Sequence, residues 1–316
     1  MVALNPTRLV HAGLFGDLFG GKGQETLPIT PNGEFYITSY DITPSVDPEQ
    51  WSLKIGGLVR NPLTVTYEDL LKHPQTTMIS TLECIGNPVG GYSIGTAEWE
   101  GVRLNSVLDE AGIDPKAVDL VLRAAEDYSD SIPVSRAMRD EVLLATKMNG
   151  VPLPLDHGFL ARVIVPGIYG MKNVKWLTGL ELVNHDYKGY WQERNWPDDA
   201  FVKLSSRIDL PGDRETIKGR QYRIKGIAFG GLEKIQQVQI STDEGKTWKA
   251  ATLEPPLSPY TWTHWYHDWA IKQPGEYTLA VRAIGSTGGA QATQFGVVTP
   301  KETVDLHAVT VEVRKG

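Results

Sequence analysis

At Trp196-Pro197-Asp198-Asp199 the texture of the chain changes. Apolar residues at helical spacing occur before this point and stop after it. Beyond it lies a series of short segments, Gln221 to Ile227, Gln236 to Ser241, Trp248 to Leu253, Tyr277 to Ala283 and Val309 to Val313, in which apolar and polar residues alternate. Turn sequences such as Asp243-Glu244-Gly245 and Ser286-Thr287-Gly288-Gly289 separate them. A period of two puts alternate side chains on opposite faces, so each segment reads as a half-buried strand. Short strands at this spacing predict an immunoglobulin-type β-sandwich over residues 199–316. The chain has 316 residues, room for about two domains at roughly 100 to 200 residues each.

Residues 30–198 read as a mixed α+β domain. Strand-like runs at Trp51 to Ile55, Leu120 to Ala124 and Arg162 to Val165 alternate with helical patterns. One helix opens at Tyr67 behind Thr66, and another runs from Leu104 to Ala111 before Gly112 stops it. Glycine and proline punctuate this half, at Gly56-Gly57, Gly90-Gly91, Pro152 to Pro154 and Pro166-Gly167, so much of its surface is loop that can carry a ligand. Residues 1–29 form an N-terminal extension.

A net charge of -7 argues against a nucleic-acid or anionic-membrane binder, which needs a concentrated positive face. No apolar run approaches the roughly 18 residues of a spanning helix, and no signal peptide is visible. The expected compartment is therefore extracytoplasmic, such as the periplasm, if an export signal has been removed, and cytoplasmic otherwise. The single cysteine, Cys84, excludes an intrachain disulfide, multi-cysteine zinc sites and Cys-x-x-Cys-His haem attachment.

Cys84 lies where a β-branched run meets a Gly-Asn-Pro turn, in Ser80-Thr81-Leu82-Glu83-Cys84-Ile85-Gly86-Asn87-Pro88. It reads either as a buried structural thiol, or as a nucleophile or soft metal ligand at a strand end. A second stretch, Asn149 to Gly158 with Arg162 and Pro166 to Leu177, gathers His157, Arg162, Lys172 and Lys175 on loops flanking one strand. Such a cluster in an acidic chain suits a phosphate, with arginine as planar fork and lysine as point charge; scattered surface basics are the alternative. The segment Tyr260 to Trp269 reads as an aromatic-rich loop, packed in the core or serving as a docking patch.

Taken together these segments resemble the sulfite oxidase family of molybdenum enzymes, in its form without a haem domain. The resemblance runs from about Thr30 to the C-terminus. It rests on Thr81 to Asn87, Thr96-Ala97-Glu98-Trp99, Ser131-Ile132-Pro133, Met148 to Gly158, Val163 to Gly167 and Val174 to Leu177. It implies an α+β molybdopterin-binding domain of sulfite oxidase type followed by an immunoglobulin-like β-sandwich that pairs two chains. By position, Cys84 would be the thiolate on molybdenum, held on a single pterin. His157, Arg162, Lys172, Asn173, Val174 and Lys175 fall where the family contacts the pterin and its phosphate. Asp127 falls where a polar group meets the pterin, and Tyr36, Ile37, Thr38, Ser39 and Tyr40 take the place of the N-terminal cofactor loop.

Sulfite-oxidising members read approximately Phe-Val-Arg-Asn-His in that loop and Cys-Ala-Gly-Asn-Arg-Arg after the cysteine. Here Thr38, Val89 and, in the glycine-rich bend Gly230-Gly231-Leu232, Leu232 stand where arginines are expected. The implied activity is transfer of an oxygen atom and two electrons, with sulfite the first candidate. Reduction of a neutral S-oxide or N-oxide suits the missing arginines, and a non-catalytic dimeric scaffold is the third reading. No haem, flavin or iron-sulfur motif is visible. Electrons are therefore expected to pass to an external partner, such as a cytochrome or a membrane quinone-linked subunit, with oxygen as the other acceptor.

Overall fold

The computed structural model describes residues 23–291 and 306–315; residues 1–22 of the N-terminal extension lie outside them. The described residues form two compact units. The first takes residues 31–85 and 97–200, the second residues 23–30, 86–96 and those after 200. The expected division at 198/199 thus falls at 200/201. The short segments 23–30 and 86–96 join the second unit, because they pack on strands that the chain reaches only later.

In the first unit β1 (Ser52–Gly57), β2 (Leu63–Thr66), α1 (Tyr67–Lys72), β3 (Gln75–Glu83) and β4 (Ile94–Arg103) are followed by α2 (Leu104–Ala111), β5 (Asp119–Ala124), β6 (Ser129–Pro133) and α3 (Val134–Ala137). Strands β7 (Leu143–Met148), β8 (Val151–Pro152), β9 (Arg162–Ile164) and β10 (Leu177–Val183) complete it. One sheet has the order β2-β1-β10-β5-β6. The other runs β3-β4-β7-β8, with β9 also on β7. In β1 the alternation is plain: Leu53 and Ile55 are buried and Lys54 is exposed. Local chemistry sets the helix ends. Thr66 and Asp69 cap α1 reciprocally, and Gly112 closes α2 at φ 68°, the left-handed conformation that glycine adopts without penalty. Leu104, Val107, Leu108 and Ala111 of α2 pack into the core with Leu53, Leu120, Leu122 and Leu180, each large side chain contributing about 1.5 to 3 kcal/mol.

The second unit is a β-sandwich. One sheet has the order β11-β13-β17-β16, from Ser205–Leu210, Gln221–Phe229, Thr263–Ala270 and Thr252–Leu253. The other runs β12-β19-β18-β14-β15, from Thr216–Lys218, Ala308–Arg314, Gly275–Gly285, Ile235–Ser241 and Lys249–Ala250. Ile224, Trp265 and Trp269 from the first sheet meet Val238, Ile240, Leu279, Val281 and Val311 from the second. The aromatic segment expected to be a loop is largely strand β17. Thr263, Trp265 and Trp269 point inward at a period of two while His264 and Asp268 lie on the other face, so Trp265 and Trp269 are core residues rather than a docking patch.

Candidate active site

Strand β3 delivers Cys84. Ser80 to Glu83 are buried, and the chain leaves the sheet with Cys84 half-buried immediately after. Trp99 of β4, fully buried, braces this end by donating its indole N–H to the Ser80 carbonyl at 3.3 Å. The Trp99 ring carries the guanidinium of Arg162 at 5.1 Å. It also receives the edge of Phe35 at 5.8 Å, and Phe35 in turn stacks on Tyr36 at 5.3 Å. Tyr36 feels the charges of Cys84, Arg162 and Glu83. The sequence therefore brings Cys84, Tyr36 and Arg162 together from positions far apart in the chain.

Arg162 is buried. Its Nη1 donates to the carbonyl of His157 at 3.0 Å and its Nη2 to that of Asn173 at 3.0 Å. Its Nε is buried without a partner among the described residues. Burial pulls the guanidinium down to about 10, so it remains a cation at neutral pH. His157 is buried, with Nε2 2.9 Å from the Asn32 carbonyl. A carbonyl only accepts, so Nε2 carries the proton and Nδ1 presents a lone pair. Burial, then the nearby Arg162, brings His157 down to about 4, which keeps it neutral.

Lys175 lies beyond Arg162. Its ammonium donates to Ser39 Oγ at 3.1 Å and to the Asp156 carbonyl at 2.9 Å, 4.1 Å from the Trp176 ring centroid. Burial first, then Arg162, lowers it to about 7. Gly158 makes this approach possible: at φ 107°, a Cβ there would lie 3.1 Å from Lys175 Cβ and 3.2 Å from Arg162 Cβ. Ser39 of the N-terminal loop thus reaches the basic cluster directly. Ile37 is half-buried, Thr38 is exposed, and Tyr40 lies against Tyr190 at 4.4 Å.

Other expected site residues stand apart. The ammonium of Lys172, 2% exposed, is committed to Asp130 at 2.9 Å, the Ser131 carbonyl at 2.7 Å and Asp198 at 3.2 Å. That is a buried ion cluster linking β6 to the end of the unit. The Asn173 amide is spent on backbone: it accepts from Val165 N–H and donates to the Ile168 and Tyr169 carbonyls. Val174 is buried and pairs through its carbonyl with Val163. Asp127 sits exposed at φ 62° on the β5–β6 turn. Its neighbour Glu126 is the carboxyl that turns inward. Its Oε2 is buried without a partner among the described residues, and burial raises the carboxyl to about 7, opposed by the charge of Lys175. Two adjacent acids are indistinguishable in sequence; the turn conformation decides which is buried.

The loop after Cys84 belongs to the second unit. Asn87 Oδ1 accepts from Ser93 N–H at 2.9 Å and Gly91 N–H donates to Pro88 at 2.8 Å, closing it. From β11, Arg207 donates to the Gly91 carbonyl, to Asp209 at 2.7 Å and to Thr26 Oγ1 at 2.6 Å, under the Tyr92 ring at 4.5 Å. His307 Nδ1 accepts from Ile208 N–H at 3.0 Å, and its ring lies where a Gly90 Cβ would be.

The first unit thus gathers a thiol at a strand end, a buried guanidinium, a neutral imidazole and a lysine, donor types that suit an anionic metallocofactor. Residues 40–191 match the oxidoreductase molybdopterin binding domain, and residues 200–298 the Mo-co oxidoreductase dimerisation domain. Mitochondrial sulfite oxidase of Rattus norvegicus is 32% identical over 284 residues, 75% of this chain and 52% of that protein. Sulfite oxidase of Arabidopsis thaliana is 31% identical, covering 77% of this chain and 75% of that one. The solved structure of the sulfane dehydrogenase SoxCD from Paracoccus pantotrophus superposes with a TM-score of 0.80 at 27% identity, covering 90% of this chain and 83% of that one. The chain belongs to the sulfite oxidase family of molybdopterin oxidoreductases. It spans about half the length of the rat protein.

Proposed function

We propose that this chain is a molybdenum-cofactor oxidoreductase, sulfite oxidase-like, that transfers an oxygen atom and two electrons at a sulfur compound, with Cys84 as the protein thiolate on the metal. The observation that carries the reading is the juxtaposition of Cys84 and Tyr36 with the buried guanidinium of Arg162, whose Nε lacks a partner. The residues fit the cofactor. Two buried polar atoms, Arg162 Nε and Glu126 Oε2, have no acceptor or donor among the described residues, and a thiolate is a soft donor suited to the metal. Bound there, the molybdenum would supply the two-electron couple and the exchangeable oxygen. The chain supplies the rest. Arg162 and Lys175 would offset phosphate charge. His157 Nδ1 and the Glu126 carboxyl would accept hydrogen bonds from the bound group.

A second reading, turnover of an uncharged sulfur or nitrogen compound, draws on the pairing of the cations outside the cluster. Arg103, Arg123, Arg207 and Arg223 each sit against a carboxylate, those of Asp140, Glu181, Asp209 and Asp268. None offers an unbalanced charge to replace the arginines missing at Thr38, Val89 and Leu232. The sulfane dehydrogenase named above places sulfane sulfur beside sulfite among substrates to try. We further propose a homodimer formed through the second unit and an external electron-transfer protein, a cytochrome or a quinone-linked subunit. The test is purified protein from a cofactor-competent host, assayed for molybdenum and then for turnover of sulfite, sulfane, sulfoxides and N-oxides with an artificial electron carrier. Cys84→Ser should retain the fold and lose turnover. Absence of molybdenum from the wild type would defeat the proposal.

A further inference from the structure

Two side-chain amides from distant parts of the chain interlock beside His157. Asn149 and Gly150 turn the hairpin between β7 and β8 at φ 51° and 77°, the positive values that a two-residue hairpin loop requires. Asn149 is tied back to β4. Its backbone N–H donates to the Glu98 carbonyl at 2.8 Å, and its Oδ1 accepts from the Glu98 N–H at 2.9 Å. Its Nδ2 then donates to Asn32 Oδ1 at 2.7 Å, across 117 residues of sequence. Asn32 Nδ2 returns to the hairpin and donates to the Met148 carbonyl at 3.3 Å. A backbone N–H only donates and a carbonyl only accepts, so each amide has one orientation that satisfies this chain.

The backbone of the same Asn32 meets the imidazole, its carbonyl oxygen lying 2.9 Å from Nε2 of His157. Phe35, whose N–H donates to the Pro31 carbonyl at 3.0 Å to close the turn around Asn32, packs on the His157 ring edge-on at 5.5 Å. Burial keeps the ring neutral at neutral pH, so it carries one proton on one of two nitrogens. With that proton on Nδ1, the Nε2 lone pair would oppose a carbonyl lone pair, and Nδ1 would donate where an acceptor is wanted.

The structure assigns to Asn32 the part of a positioning residue. Its side chain, locked to the β7–β8 hairpin, holds its own carbonyl against His157 Nε2 and so selects the tautomer in which Nδ1 is left as an acceptor for the bound cofactor. Asn32 touches nothing that reacts; it acts through the imidazole. The use of Nδ1 by a cofactor rests on the functional reading above, whereas the tautomer is a property of the protein alone.

The experiment records the imidazole nitrogen resonances of the full-length apoprotein, labelled with 15N-histidine, for wild type and Asn32→Ala at neutral pH, with His157→Gln identifying the His157 signals. In wild type His157 should show a single neutral tautomer protonated on Nε2. In Asn32→Ala its shifts should move towards the Nδ1-protonated form while circular dichroism stays that of wild type. Should Asn32→Ala not fold, Asn149→Gly takes its place, since glycine keeps the positive φ and removes the contact to Asn32. A wild-type His157 protonated on Nδ1 overturns the inference without any variant, and so does an unmoved tautomer in the folded variant. The same proteins from a cofactor-competent host are then assayed for pterin and molybdenum, and the variant should hold less of both. Full cofactor content beside a shifted tautomer overturns the link from Asn32 to the cofactor. Molybdenum-free wild type defeats the functional reading, while the apoprotein spectra still decide the tautomer.

Discussion

Lys175 offers a test of the cofactor cradle that needs no cofactor. Its ordinary value of 10.5 is brought to about 7, by burial first and by Arg162 second. The folded apoprotein therefore resists protonating a lysine that the unfolded chain protonates readily. The destabilisation is present in full below pH 7 and disappears as pH rises from 7 towards 10.5, so stability should climb across that window. Undamped, a gap of this size corresponds to roughly 5 kcal/mol at 1.36 kcal/mol per pH unit. Lys175 is only partly shielded and keeps its contacts to Ser39 and Asp156, so solvent screening reduces this to about 1 to 2 kcal/mol between pH 7 and 9. Glu126, raised to about 7, acts in a different window: it loses stability as pH rises from 4.5 to 7 and is silent above. Urea unfolding of the apoprotein, followed by tryptophan fluorescence at pH 7 and pH 9, should show the gain in wild type and its absence in Lys175→Met. A bound phosphate would restore the proton and flatten the wild-type rise. Equal pH 7 to 9 differences in wild type and variant would refute the reasoning.

Single residues carry the other expectations. Gly158→Ala forces a side chain into left-handed backbone against Lys175 and Arg162, so it should cost about 1 to 3 kcal/mol in urea unfolding; wild-type stability would mean the turn relaxes freely. Leu279→Ala empties a fully buried position between the sandwich sheets and should cost about 2 to 5 kcal/mol by calorimetry, whereas a loss under about 1 kcal/mol would count against a tightly packed core. Light scattering should report a dimer, and a monomer at high concentration would dismiss the pairing role of the second unit. Sulfite, if turned over, should show a high Michaelis constant that worsens with salt. Saturation at low micromolar sulfite would mean that other cations serve the anion.

Legibility in the sequence followed range. The capping of α1 by Thr66 and the stop of α2 at Gly112 are decided within a few residues and could be read directly. So could the alternation that defines β13, β14, β18 and β19. Strand β17 was hidden because Tyr260, Trp262 and Tyr266 blur a period-two pattern that only Trp265 and Trp269 carry into the core. The basic cluster was visible as composition, yet its division was not. Lys172 pairs with Asp130, 42 residues away, while Lys175, three residues later, turns to Ser39, 136 residues away. Helical or strand spacing carries no information about such partners. Glu126 escaped notice for a related reason, since burial of one of two adjacent acids depends on the backbone of the turn.

The loop that follows Cys84 has a consequence for biosynthesis. Its tip is held by Arg207, 116 residues beyond Gly91, and by the ring of His307 against Gly90. The ribosome releases the cysteine long before either clamp exists; at about 5 to 20 residues per second the wait is on the order of ten seconds or more. A nascent chain thus displays the Cys84 thiol on an unfastened loop. The finished loop dates only from the emergence of the last strand. If Cys84 holds the metal as proposed, loading belongs after translation. A chain broken off between residues 207 and 307 would carry the cysteine and the basic cluster with only the Arg207 half of the fastening.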